Sequence, residues 1–153
     1  MKKKVAVTGL GTISPVGNDV DSFWNSLIEG KSGVGPITLF DASAYETRIA
    51  AEVKDFRPEN WIDSKESRKM ARFSQFAVAA AMQAWHDAGL QAVAGSSQAS
   101  QHGPYPSERM AVVLGNGIGG IEVFQDSYSK LLSDGPGRIP PLTIPLMIAN
   151  EAA

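Results

Sequence analysis

No cysteine occurs among the 153 residues. For this stretch of chain that excludes disulfides, thiolate zinc sites and a cysteine nucleophile together. Histidine is almost as scarce. His86 and His102 are the only two, they share no helical face, and no spacing marks a metal site. No apolar run approaches the roughly 20 residues that a membrane-spanning helix needs. An excess of one charge is missing too: 14 Lys and Arg against 16 Asp and Glu leave a net charge of −2. The whole chain is therefore no general polyanion binder, and any basic site must be a local patch. The opening Met1-Lys2-Lys3-Lys4 has the charge of a signal n-region. Thr8, Gly9 and Gly11 interrupt the apolar stretch behind it, so the expectation is no signal peptide and a cytoplasmic location.

What is present is ordinary for a globular chain. Apolar residues make up 43% and charged residues 20%, and the length suffices for one domain with its own core. Val5-Ala6-Val7-Thr8 reads as a short buried strand. Asn18 or Asp19 can cap a helix running to about Glu29, with Phe23, Trp24, Leu27 and Ile28 on one face and Gly30 as its stop. Residues 31–48 read as irregular, and Ile49 to Val53 as a second strand. Asp63 with Glu66 has capping-box spacing, or Ser64 is the cap, at the start of one long helix ending at Gly89. Met70, Phe73, Ala77, Ala80 and Ala84 form its core stripe, small enough at one end for close packing.

Residues 91–107, rich in Ser, Gln, Ala and Gly, read as a solvated loop. Met110 to Leu114 is expected to be the third and most apolar strand. A helix from about Ile121 to Leu132 follows, with Val123, Phe124, Tyr128, Leu131 and Leu132 on its face. Gly135 to Pro141 reads as a rigid extended connection. Thr143 can cap a last helix, with Pro145 near its first turn, running on through Ala153.

Two glycine turns resemble phosphate cradles. A dinucleotide fingerprint needs a strand, G-x-G-x-x-G and then a helix. Gly9-Leu10-Gly11-Thr12-Ile13-Ser14 lacks the third glycine, and its helix starts late. Gly115-Asn116-Gly117-Ile118-Gly119-Gly120 has the spacing, but no following strand with an acidic end for the ribose. Tight turning and close packing explain both better. Ile118 stands out as a bulky apolar side chain at the tip of such a turn.

Lys65, Arg68, Lys69 and Arg72 cluster at the start of the long helix, where the helix dipole disfavours cations. A solvated face paired with Asp63 and Glu66 is one reading, and docking of an anionic partner, with Arg138 joining, is the other.

Together these stretches resemble a known family. VAVTGLGTISPVGN, the F-W-x-x-L-x-x-G-x-S-G run from Phe23 to Gly33, Phe40-Asp41-Ala42-Ser43, Lys65 to Met70, and GNGIGG are similar to the β-ketoacyl-acyl carrier protein synthases. The elongating synthase II type is nearest. The resemblance implies an α/β, thiolase-like fold, with residues 1–153 an incomplete N-terminal half and a loop insertion at about 91–107. It implies a homodimer that elongates acyl chains on acyl carrier protein by decarboxylative condensation with malonyl carrier protein, with no cofactor. The cysteine and histidines of that chemistry are expected beyond Ala153, so no catalytic residue is assigned here and the 153 residues alone are expected to be inactive. Binding residues carry over. Ile118 matches the acyl-pocket gate. Leu142, Thr143 and Ile144 match a segment near the dimer interface that helps line the partner's acyl pocket. Lys65, Arg68, Lys69 and Arg138 match a carrier-protein surface, where Gly137 stands at an often basic position. Three alternatives stay open: a polyketide ketosynthase or chain-length factor, a nucleotide-binding oxidoreductase using Gly115 to Gly120, and a non-catalytic carrier-binding or dimerisation module.

Overall fold

The computed structural model describes residues 4–90 and 105–153. Most of the expected 91–107 loop, His102 included, lies outside the described residues. The chain divides into two compact units: Met1–Arg57 with Ala79–Gly89, and Pro58–Val78 with Leu90–Ala153. Among the described residues, no helix is long and apolar enough to cross a membrane.

In the first unit, helix α1 spans Val20–Ile28. The Asp19 carboxylate caps it by accepting from the Ser22 amide at 2.7 Å, and Asp21 adds an acid to the first turn. Such a cap contributes ~1 kcal/mol. Gly30, at φ +66°, turns the chain out of the helix as expected. The expected apolar face is not buried: Trp24, Leu27 and Ile28 are exposed, and Ser26 is the buried residue of α1.

Strand β1 (Val34–Pro36) pairs antiparallel with β2 (Ile49–Ala51), with Gly35 opposite Ala50. The second strand was legible, whereas β1 falls in the stretch read as irregular. Glu52 continues the pairing by other means. Its carboxylate accepts from the Thr38 hydroxyl at 2.6 Å and from the Thr38 and Leu39 amides. These bonds hold its pKa below the ordinary carboxylate value, the Thr38 hydroxyl first among them.

The first glycine turn lies against the C-terminal part of helix α3 (Arg72–Asp87). A Cβ on Gly9 would sit 2.0 Å from the Ala84 carbonyl oxygen, and one on Gly11 1.9 Å from that of Ala80. The small residues of the expected stripe thus admit the turn's backbone. The Leu10 amide donates to the Asp87 carboxylate at 2.8 Å and the Thr12 amide to Gln83 Oε1 at 3.1 Å. Gln83 is buried and also donates to the Asn18 carbonyl. Two amides of this turn are therefore taken, one of them by an anion, which removes the phosphate reading.

In the second unit, helix α2 (Ser64–Ser67) starts at Asp63, whose carboxylate accepts from the Lys65 amide at 2.8 Å. The expected single long helix is two. Gln75 Nε2 donates to the Ser67 and Met70 carbonyls at the break. Glu122 accepts from the Arg72 amide at the start of α3, where a carboxylate suits the helix dipole. Glu66 pairs with Lys69 rather than closing a capping box. The buried line of α3 is Ser74, Ala79 and Gln83 with Ala71 just before it, displaced from the expected stripe, whose members are half-buried.

Helix α4 (Ile121–Asp134) agrees with expectation and ends at Gly135, φ +83°. Pro136–Arg138 forms a 3-10 turn rather than an extended connection. Helix α5 is only Thr143–Met147. Thr143 lies inside it instead of capping it, and its hydroxyl donates back to the Pro140 carbonyl. The expected continuation to Ala153 is replaced by turns, tied down where the Ser74 hydroxyl, 1% exposed, donates to the Glu151 carboxylate.

The two remaining expected strands do not form among the described residues. Val5 is 93% and Val113 95% exposed, so both segments are open rather than buried. An extended β-branched run becomes a strand only when a neighbour accepts its hydrogen bonds. The described residues supply none to either segment.

Candidate functional site

The features that stand out functionally all lie in the second unit. The first is the turn from Gly115 to Gly120. Asn116 Oδ1 accepts from the Ile118 amide at 2.9 Å and from the Gly119 amide at 2.7 Å. This local side-chain turn is a habit of Asn that its short amide makes possible. Beyond it the chain presses against α5. The Gly120 amide donates to the Met147 carbonyl at 3.2 Å. A Cβ on Gly119, at φ +80°, would lie 2.5 Å from that same oxygen, and one on Gly120 2.4 Å from the Leu146 carbonyl oxygen. Ile118 is left at the tip, 70% exposed. The amides that a pyrophosphate would need at Ile118, Gly119 and Gly120 are all engaged, so the turn is built for shape and not for an anion.

The second feature is a groove of about 440 Å³. Helix α4 lines it with Phe124, Ser127, Tyr128 and Leu131, the following chain with Ile139, Pro140 and Pro141, and α5 with Thr143, Ile144 and Met147. The rings of Phe124 and Tyr128 stack with centroids 6.1 Å apart. Ser127 and Thr143, both buried, bond to each other through their hydroxyls at 2.9 Å. Their polarity is thereby spent, and the groove offers an apolar surface with no carboxylate, amine or imidazole in its lining. Such a lining suits a hydrocarbon. Of the residues expected to line an acyl pocket, Thr143 and Ile144 are in the groove. Leu142 is exposed and outside its lining, and Ile118 sits on the neighbouring turn.

The sequence puts Phe124, Tyr128 and Leu131 on one apolar helix face. The periodicity was right, but the face is open. Met147 and Asn116 were missed. An Asn two residues before a bulky side chain within a glycine turn was the available signal for the latter.

The third feature is the basic cluster. Lys65, Arg68 and Lys69 are exposed on and just after α2. Arg68 Nε donates to the Ser64 carbonyl, and Lys69 pairs with Glu66 at 2.8 Å. Both contacts are solvent-exposed, and such pairs are worth ~0–1 kcal/mol, so they leave the cations available to a partner. Arg72 lies over the Phe76 ring at 4.8 Å. Arg138 occupies the 3-10 turn after α4 and is exposed.

Comparison with known proteins gives one consistent result. The family model for the β-ketoacyl synthase N-terminal domain matches residues 2–153. The 3-oxoacyl-[acyl-carrier-protein] synthase 2 of Synechocystis is 46% identical over 152 residues, covering 99% of this chain and 34% of its own length. The protein of the same name from Coxiella burnetii is 45% identical with the same coverage. Among solved structures, the ishigamide ketosynthase/chain length factor superposes with a TM-score of 0.76 at 29% identity, over 96% of this chain and 34% of that one. The chain thus has a ketosynthase, thiolase-like fold and spans about a third of the length of the curated relatives it matches.

Proposed function

The chain belongs to the β-ketoacyl synthase family, and on that premise we propose that it forms the N-terminal part of a 3-oxoacyl-[acyl-carrier-protein] synthase II. The enzyme elongates an acyl chain held on acyl carrier protein in cytoplasmic fatty-acid biosynthesis and works as a homodimer. The acyl group passes from the carrier thioester to an enzyme cysteine. Loss of carbon dioxide from malonyl carrier protein leaves a carbanion equivalent, which attacks that acyl thioester and expels the cysteine thiolate. This chain contains no cysteine, so in this reading the nucleophile belongs to the part of the enzyme that the relatives' additional length represents.

The role of residues 1–153 is then binding. The apolar groove between α4 and α5 is the observation that carries this reading. Thr143 and Ile144 line an acyl pocket, Leu142 borders it, and Ile118 gates it. Lys65, Arg68, Lys69 and Arg138 dock the acidic carrier protein. The open Val5–Thr8 and Met110–Leu114 segments fit the same view, because each has strand composition and no pairing partner among the described residues.

The test is condensation. A polypeptide of the relatives' length carrying this segment is given acyl and radiolabelled malonyl carrier protein, beside the 153-residue chain alone. We expect labelled 3-oxoacyl product from the longer polypeptide and none from the shorter. No product from the longer one overturns the reading. The likeness to a ketosynthase/chain length factor favours a second reading, a polyketide ketosynthase subunit. The residue at the nucleophile position and the number of extensions per product separate the two.

A further inference from the structure

The turn that carries Ile118 has two unlike halves. Gly119 and Gly120 are fixed: added Cβ atoms would strike the Met147 and Leu146 carbonyl oxygens, and the Gly120 amide is bonded to Met147. Gly115 and Gly117 are not. Among the described residues a Cβ at either would meet nothing within 4 Å, and neither has the positive φ that requires glycine. Among the described residues, packing explains the second pair of glycines and not the first. Backbone freedom explains the first: a glycine on each side of Asn116 lets the leading half of the turn swing.

Asn116 Oδ1 is the hydrogen-bond acceptor seen to hold that leading half, taking both the Ile118 and the Gly119 amide. Its side chain is exposed and both bonds lie within the turn, so they can break without disturbing any helix. We infer that Asn116 is a positioning residue: a releasable latch that sets the resting place of Ile118 and the ease with which an apolar chain displaces it. This deepens the proposed function and rests on it only for the identity of the displacing group. That Asn116 holds Ile118 rests on the geometry alone. Met147 links the latch to the groove, since its carbonyl anchors the fixed half of the turn and the residue lines the groove.

The experiment uses the isotope-labelled 153-residue chain and measures solvent exchange of the Ile118 and Gly119 amides by NMR. Asn116→Ala should raise both rates about tenfold, with other amides unchanged. Asn116→Asp should restore slow exchange, because a carboxylate accepts the same two bonds. In that variant the latch should also titrate. Two amide donors depress the carboxyl pKa, so the bonds hold above the ordinary carboxylate range and fail as pH falls through the depressed value. A merely structural asparagine would give neither the rescue nor the acid release. Unchanged exchange in Asn116→Ala overturns the inference. Dodecanoic acid, titrated while the Ile118 δ1 methyl is followed, tests the other half. Faster exchange together with a methyl shift that saturates at lower dodecanoate in Asn116→Ala supports the full proposal. Faster exchange with no methyl response keeps the latch and overturns Ile118 as an acyl gate.

Discussion

Ser127 and Thr143 share one buried hydrogen bond, 2.9 Å between hydroxyl oxygens, where α4 packs on α5. The Thr143 hydroxyl spends its proton on the Pro140 carbonyl at 2.8 Å, so Ser127 is the donor of the pair. Removing each side therefore has unequal consequences. Ser127→Ala leaves Thr143 bonded to Pro140 and should cost about 1 kcal/mol. Thr143→Val strands the buried Ser127 hydroxyl, while the Pro140 carbonyl keeps the Thr143 amide at 3.1 Å, and should cost ~1–3 kcal/mol. The double variant should cost less than the sum. Urea unfolding midpoints check this, and equal single costs would contradict the donor assignment.

The two glycine turns should respond oppositely to the same small change. Gly11→Ala places a Cβ 1.9 Å from the Ala80 carbonyl oxygen. Something must move, at a cost of ~1–3 kcal/mol or more. Gly117→Ala meets nothing within 4 Å among the described residues and should stay within ~0.5 kcal/mol of the parent. Thermal unfolding separates the two. Neither the parent nor Gly117→Ala should give heat on titration with NADH. A saturable, glycine-dependent signal would revive the dinucleotide reading.

What the sequence conveyed depended on how local the cause was. The α1 helix was readable because its cap, Asp19, and its stop, Gly30, lie within the segment they govern. The break between α2 and α3 was not, because apolar periodicity runs through it. Contacts from elsewhere sustain it: Gln75 on the Ser67 and Met70 carbonyls, and Glu122 on the Arg72 amide. Val5–Thr8 and Met110–Leu114 have strand composition, but composition cannot supply a pairing partner. Resemblance singled out Thr143 and Ile144, which line the groove, and Ile118, which lies on the neighbouring turn. Phe124, Tyr128 and Leu131 were recognisable as one helix face, yet periodicity cannot tell a covered face from an open one.

The basic cluster should matter to association more than to stability. Arg68 and Lys69 are exposed and make only weak local contacts. Arg68→Glu with Lys69→Glu should leave the melting temperature within a few degrees. Affinity for an acidic carrier protein should fall tenfold or more, about 1.4 kcal/mol. Lys69→Glu also frees Glu66 from its partner, which deepens the reversal. The loss should shrink as salt rises, because long-range attraction between exposed charges is screened. Surface plasmon resonance at two ionic strengths reads both effects. An unchanged affinity would remove carrier docking from this face.

Glu151 should make the chain less stable as pH rises through the weakly acidic range. Burial pushes its carboxyl above the ordinary carboxylate value, while the unfolded chain titrates at that ordinary value. Between the two, the folded state binds the extra proton, so stability falls as pH rises through the window and the penalty is complete above it. The Ser74 hydroxyl donates to this carboxylate and softens the penalty without abolishing the upward shift. Glu151→Gln keeps an acceptor for Ser74 and removes the charge. It should raise the melting temperature at neutral pH and flatten the profile through the window. Ser74→Ala should steepen the profile, because the ionised carboxylate then loses its donor. Thermal unfolding of the three proteins between about pH 4 and pH 8 decides the matter, and parallel profiles for parent and Glu151→Gln would refute it.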